Sequence, residues 1–266
     1  MPDLSQNVEA ILREVAHKIV MPSFKNLAAD DIENKSSGEL VTRVDRLAES
    51  FIASNLARLI ACPVIGEEAA SQEPALLDAN EHEQIWLIDP LDGTSNFVAG
   101  RPAFSIMVAL LRRGHAVQSW MFNPIADTMD TAELGGGACR NGERVQCSQK
   151  SHVAKDLTAI VKTRFLPDEL KRQIANRSTR LGGLVTGSDC AGIDYPNLVR
   201  GYTDLILYWR TLPWDHAPGV LYLTEAGGRV ARLDASTYFP LDGKAGLLVA
   251  ASAEVWRIGS NALLVN

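Results

Sequence analysis

In the stretch Ile85-Trp86-Leu87-Ile88-Asp89-Pro90-Leu91-Asp92-Gly93-Thr94 an apolar run turns abruptly into acids. The four leading residues read as a short buried strand. Pro90 biases Asp89 toward extended backbone, and Asp92 stands where a helix N-cap is expected. Gly93 and Thr94 then offer backbone N–H groups at a helix start, which suits a phosphate. Two further segments have the same form, Ile65-Gly66-Glu67-Glu68 and Pro213-Trp214-Asp215. Singly, a D-x-x-D is most often a solvated turn, a Glu pair a surface feature, and Trp-Asp a packing residue beside a satisfied acid. Gathered at strand ends, such acids repel one another unless a cation cancels their charge. An oxygen-rich site with few His or Cys favours Mg2+.

Toward the amino terminus, Val8, Ile11, Leu12, Val15, Ala16 and Ile19 recur at three- and four-residue steps. That spacing predicts an amphipathic helix over 8–20, ended or kinked by Pro22. Residues 30–39, with Lys35-Ser36-Ser37-Gly38 at their centre, read as a loop or hairpin tip. A second helix is predicted from about Val44, with Leu47, Ala48, Phe51, Ile52, Leu56 and Leu59 on one face. Toward the carboxyl terminus, 104–111 and 116–122 flank a hairpin turn. Gly135-Gly136-Gly137 and Asn141-Gly142 punctuate a further strand pair. A crossover over 148–153 leads to predicted strands at 157–161, 203–209 and 246–251, with helices over 187–198 and 216–225. The expectation is an α/β protein in two packed halves, 1–147 and 148–266.

The 266 residues hold 26 Lys+Arg and 32 Asp+Glu, a net charge of −6, with 46% hydrophobic and 22% charged residues. This composition excludes disorder and argues against a nucleic-acid coat, which needs basic surface. No apolar run approaches the roughly 20 residues of a membrane span. The first residues lack a basic region followed by an apolar core, so no secretory signal is expected. Cys62, Cys139, Cys147 and Cys190 have no CxxC spacing and are read as reduced thiols of a cytoplasmic protein.

The segments Gly66-Glu67-Glu68, Trp86 through Phe97, and Trp214-Asp215-His216-Ala217-Pro218-Gly219 resemble the signatures of the inositol monophosphatase family. Leu40-Val41-Thr42-Arg43-Val44-Asp45 is similar to its amino-terminal pattern and Glu225-Ala226-Gly227-Gly228 to its final helix-to-strand turn, so the resemblance covers nearly the whole chain. It implies a Mg2+-dependent, lithium-sensitive phosphomonoesterase, commonly a homodimer. The implied fold is the layered α-β-α-β-α sandwich shared with fructose-1,6-bisphosphatase, with most metal ligands in the first half. Glu67, Asp89 and the Leu91 carbonyl would hold one Mg2+ and Asp89, Asp92 and Asp215 a second, with a third, weaker ion near Glu67. Gly93 and Thr94 would take the phosphate, and Glu67 and the Thr94 hydroxyl would orient and deprotonate a metal-activated water. Lys35 is a further candidate for phosphate or ion contact, whereas Glu68 and His216 are read as structural.

The second half departs from the resemblance. Gly187, Ser188 and Asp189 fall where the family meets its substrate, but Asp189 and Cys190 replace small residues there. Tyr208, seven positions before Asp215, replaces the acid of inositol-specific members, and Asp215 itself would touch the substrate. An acid accepts hydroxyls in pairs, whereas a tyrosine offers stacking and one hydroxyl. Arg210 fits either a second substrate anion or an ion pair closing the fold. The expected substrate is inositol 1-phosphate or a related polyol or sugar phosphate. Histidinol phosphate and 3′(2′),5′-bisphosphate nucleotides are the alternatives, and a non-catalytic regulatory protein on this fold is the reading from another class.

Overall fold

In this computed structural model, which describes residues 3–35, 38–148 and 153–264, the amino-terminal helix α1 (Leu4–Val15) starts on Asp3, whose Oδ1 accepts the Gln6 N–H at 2.9 Å. Val8, Ile11, Leu12 and Val15 are its buried stripe. The expected stop near residue 20 is replaced by a wide turn of π-helix over Ala16–Val20, leading into α2 (Met21–Ser23). Pro22 sits in the first turn of α2, where its missing N–H costs nothing, so the chain leaves the helix only at Phe24. Strands β1 (Ile32–Asn34) and β2 (Leu40–Thr42) form the expected hairpin. Ser36 and Ser37 at its tip lie outside the described residues.

Helix α3 (Arg43–Leu59) begins with a capping box: Thr42 accepts the Val44 N–H, and Asp45 accepts the Thr42 N–H. Its buried ridge is Val44, Ala48, Ile52 and Leu56, one residue every four. Leu47, expected on that face, is 46% exposed because it lies about a quarter-turn away from Ala48. The first half continues through β3 (Val64–Gly66), α4 (Glu67–Gln72), β4 (Gln84–Asp92) and α5 (Thr94–Val98). Five strands follow: β5 (Ser105–Arg112), β6 (His115–Asn123), β7 (Thr128–Glu133), β8 (Gly137–Arg140) and β9 (Glu143–Val145). Strands β3 to β9 lie in sequence order in one seven-stranded sheet, antiparallel except for the β3–β4 pair. Asn141 and Gly142 both adopt positive φ (50° and 80°), as a tight β8–β9 turn requires.

The second half runs through β10 (Thr158–Val161), α6 (Asp168–Arg177), β11 (Gly183–Leu184), α7 (Ala191–Val199), β12 (Leu205–Tyr208), α8 (Pro213–Glu225), β13 (Arg229–Ala231), β14 (Leu247–Ala250) and α9 (Ala253–Leu263). Its sheet has the order β11-β10-β12-β14-β13. Two helices start elsewhere than expected. Helix α7 begins at Ala191 rather than 187, because Asp189 turns left-handed (φ 57°) and Cys190 is extended. Helix α8 begins at Pro213, a residue pre-set for the first helical turn, which places Asp215 inside a helix instead of at a strand end. Of the expected crossover, residues 149–152 lie outside the described residues.

Alternation along the strands shows the layering. In β4, Trp86 and Ile88 pack with the α1 and α3 residues Leu12, Ile52 and Leu56, while Ile85 and Leu87 pack with Trp214 and Ala217 of α8. In β12, Ile206 and Tyr208 face Tyr195 and Tyr222 of α7 and α8, while Leu205 and Leu207 face Ile174 and Val255 of α6 and α9. Both sheets are therefore buried on two faces, and the order of layers is α-β-α-β-α. Among the described residues no helix is long and apolar enough to cross a membrane.

Candidate active site

Glu67 is the first residue of α4 and reaches the site directly from β3. Buried Glu49 on α3 fixes that start by accepting the Glu68 N–H at 2.8 Å and the Ala69 N–H at 2.9 Å. Any side chain at Gly66 would collide with the Glu49 carboxylate, so the approach needs glycine. Asp89 lies in β4, is 1% exposed, and accepts the Leu91 N–H at 3.0 Å. The β4–β5 register slips between Asp89 and Asp92, which bends the strand end toward the site. Asp215 arrives from the first turn of α8. Oxygen atoms of Glu67, Asp89 and Asp215 lie within 4.8 Å of one another.

Burial pushes the Asp89 and Asp215 carboxyls well above the usual range, and neighbouring acids, Glu67 and Asp92 among them, push them further. Burial likewise raises Asp92 to about 6, against hydrogen bonds from Cys190 and Gly192. Asp92 lines the same cavity but falls outside the convergent trio, with Oδ2 accepting the Gly192 N–H at 2.7 Å and the Cys190 thiol at 3.0 Å. It is also not the N-cap expected from sequence. That place belongs to Gly93, left-handed at φ 86°, where a Cβ would meet the Ala103 carbonyl at 2.7 Å. An all-oxygen set of mutually repelling carboxylates, Asp89 buried and the others half-buried, fits a hard divalent cation. The Leu91 carbonyl lies 2.9 Å from Thr94 Oγ1, whose single hydrogen it shares as an alternative acceptor with Asp45, and it keeps at least one lone pair for that purpose.

Thr94 opens α5. Its hydroxyl lies 3.0 Å from Asp45 Oδ1, and burial raises the Asp45 carboxyl to about 6. In the sequence Asp45 stands only as the last residue of the motif Leu40-Val41-Thr42-Arg43-Val44-Asp45; its contact across 49 residues was not legible. Lys35 lies against the acids, with Nζ 2.7 Å from Glu67 Oε1 and 2.6 Å from Glu68 Oε1. Burial raises Glu68 to about 7, with the Lys35 hydrogen bond opposing.

The acids form the floor of a cavity of about 620 Å³ whose opposite wall comes from the second half. Gly187, Asp189 and Tyr208 line it; Ser188 does not, because its N–H and hydroxyl both donate to Asp194 Oδ1 at 2.8 Å. Tyr208 is 4% exposed and stacks on Tyr195 at 5.6 Å. His216 is fixed between the Tyr195 hydroxyl (3.0 Å) and the Arg210 carbonyl (3.2 Å). Burial lowers its pKa to about 3, so it is a neutral structural ring and no proton carrier at neutral pH. Arg210 is paired with Glu39, Nη1 to Oε2 at 2.6 Å, which joins the first hairpin to the second half. Lys162, Arg164, Asp194 and Glu49 were not singled out from sequence. Apart from Ser188, six residues before Asp194, their hydrogen-bond and ion-pair partners are distant in the chain, and no local motif marks them.

The inositol monophosphatase family profile matches residues 4–264. An inositol-1-monophosphatase of Mesorhizobium japonicum is 30% identical over 242 residues, covering 84% of this chain and 86% of the relative. A Nus factor SuhB of Vibrio cholerae is 30% identical over 234 residues, covering 84% and 83%. The solved structure of a Thermotoga maritima IMPase superimposes with a TM-score of 0.81 at 25% identity, over 98% of this chain and 97% of that one. With its layers, its acidic floor and this match along nearly its full length, the chain belongs to the inositol monophosphatase family.

Proposed function

We propose that this protein hydrolyses a small phosphate monoester with the help of Mg2+. The observation that carries the reading is the convergence of Glu67, Asp89 and Asp215 on a cavity floor beside the Gly93-Thr94 turn. Glu67, Asp89 and the Leu91 carbonyl would hold one ion, and Asp89, Asp92 and Asp215 another. Bound there, Mg2+ would neutralise phosphate charge and acidify water. The remaining work falls to the chain. Backbone N–H groups of Gly93 and Thr94 orient the phosphate, in line with the need of phosphoryl transfer for positioning. Glu67 and Thr94 Oγ1 orient the attacking water. Thr94 can take its proton as it passes its own to Asp45 Oδ1, and a carboxyl near 6 is well placed to exchange that proton at neutral pH. Lys35 holds Glu67 and Glu68 in place.

The substrate is a polyol or sugar phosphate, inositol 1-phosphate being the first to try, since relatives carry that activity in their names. Histidinol phosphate and bisphosphate nucleotides belong in the same screen. A homodimer in the cytoplasm is the working assembly we assign. The test is phosphate release with and without Mg2+ over these esters. Asp92→Asn keeps the acceptor for Gly192 and so the fold, yet is expected to lower release by about a thousandfold; full activity in that variant would remove the ligand assignment. A second reading follows from the relative named Nus factor SuhB, a regulatory role on the same fold. Release from no ester, with the fold intact, would favour it.

A further inference from the structure

Helix α7 starts against the acidic floor with an incomplete cap. The first N–H groups of a helix have no partner inside it and must find one elsewhere. The Cys190 carbonyl takes those of Ile193 (3.2 Å) and Asp194 (2.9 Å), but the Cys190 side chain accepts none, since a thiol is a weak acceptor. The Gly192 N–H is met instead from 100 residues away, by Asp92 Oδ2 at 2.7 Å. The close approach needs glycine, because a Cβ at this position would lie 2.1 Å from Ser105 Oγ. Ser105 in turn stands opposite Asp92 in the β4–β5 register.

The thiol works in the other direction, as a donor. Cys190 is buried, with Sγ 3.0 Å from Asp92 Oδ2 and 3.4 Å from Ser105 Oγ. Its one S–H cannot serve both, and the ionised carboxylate is the stronger acceptor. Ser105 Oγ makes a longer approach to the same Oδ2, at 3.4 Å. Among the described residues every hydrogen bond to the Asp92 carboxylate therefore falls on Oδ2, and Oδ1 accepts none. We infer that Cys190 is a positioning residue for the cation: together with the Gly192 N–H it holds Asp92 Oδ2, so that Oδ1 alone is offered to Mg2+. This rests on the ligand assignment made for Asp92 in the hydrolase reading above. It also gives Asp92→Asn a physical effect, because the amide oxygen would stay with the α7 donors and the NH2 group would face the cation.

The test is calorimetric titration of the full chain with Mg2+ alone, with no ester present. The step of the isotherm that Asp92→Asn removes is the one Asp92 serves. Cys190→Ala is expected to weaken that step about tenfold, the scale of losing a hydrogen bond to a metal ligand. Cys190→Ser, which keeps a donor, should hold it within about threefold of the unaltered protein. Added to Asp92→Asn, Cys190→Ala should leave the remaining binding unchanged. Cys139→Ala, on β8 and outside the cavity lining, should change nothing. In turnover the Cys190→Ala loss should appear as a higher Mg2+ requirement, with kcat restored at saturating Mg2+ and KM for the ester held. Mg2+ affinity unaltered in Cys190→Ala overturns the inference. Equal losses in the Ala and Ser variants overturn it too, since they would mark a packing role, as does a further loss in the Asp92→Asn background. Intact Mg2+ binding with phosphate released from no ester overturns the hydrolase reading and leaves this inference standing. An isotherm with no step that Asp92→Asn removes overturns the ligand assignment and the inference with it.

Discussion

The floor and the far wall of the cavity treat charge in opposite ways. On the wall, Lys162 is met by Asp189 and Asp194, and Arg210 by Glu39. On the floor, buried Asp89 and half-buried Asp215 lie beside one another and beside Asp92 and Glu67, and among the described residues only Glu67 has a lysine against it. A region in which Lys162 and Arg210 are answered internally needs no ion to hold those side chains in place. A region that gathers unanswered carboxylates is built for something it must acquire, and a divalent cation is the simplest candidate. On the function proposed above, catalysis and recognition would occupy different sides of one space, and variants can perturb them separately.

The sharpest separation should come from Thr94. Its hydroxyl lies against Asp45 and the Leu91 carbonyl and, among the described residues, hydrogen-bonds to no wall residue. Thr94→Ala is expected to lower kcat by about a hundredfold or more with little change in KM, as for loss of a proton-transfer group. Thr94→Ser should recover most of that loss. A variant that changed KM and spared kcat would place Thr94 in recognition and break the comparison.

Metal removal sharpens the same contrast through pH. Burial lifts Asp45 and Asp92 from 3.8 to about 6 and Glu68 from 4.5 to about 7. An acid whose folded pKa is raised stabilises the fold fully below its unfolded pKa, and that contribution is lost as pH rises through the folded value. For these groups the window is about pH 4–7. His216, lowered to about 3, works in the opposite sense, adding stability as pH rises toward 6.5. It does so with or without metal, so it cancels when melting temperatures in Mg2+ and in chelator are subtracted. That difference should grow from pH 5 to pH 7.5, on the order of 5 °C, because cation binding needs the ionised carboxylates. A difference independent of pH would mean that the floor is not where the cation acts.

Legibility divided along the same line. Glu67, Asp89 and Asp215 could be found from sequence because each follows an apolar segment and carries local punctuation: Gly66, Pro90, Pro213. The layered fold was equally legible, since β4, β5, β12 and β14 are short apolar runs buried on both faces. Helix starts were less so, because a left-handed Asp189 leaves no compositional trace. Ser188 was expected in the pocket, yet Asp194, six residues on, takes both of its donors. On the wall, an ion pair at Arg210 was one of the two readings, but its partner was not legible. Arg210 and Glu39 are 171 residues apart, and nothing local in either segment announces the other.

That pair supplies the smallest expected effect and the finest test of the division. Glu39 and Arg210 keep side-chain exposures of 20% and 29%, so water screens part of their attraction and the pair contributes about 1 kcal/mol of stability. Glu39→Gln preserves shape and removes the charge, which shifts the melting temperature by only about 2–4 °C. The informative change lies in binding. With Glu39 neutral, Arg210, itself a lining residue, has its guanidinium released toward the cavity. The KM for a doubly anionic ester should then fall about twofold to threefold while kcat and the KM for a singly anionic ester hold steady, the scale of one partly screened charge. An equal rise in KM for both esters would instead show that Glu39 serves by holding the first hairpin closed over the site, so that the wall and the floor are mechanically one unit and not two.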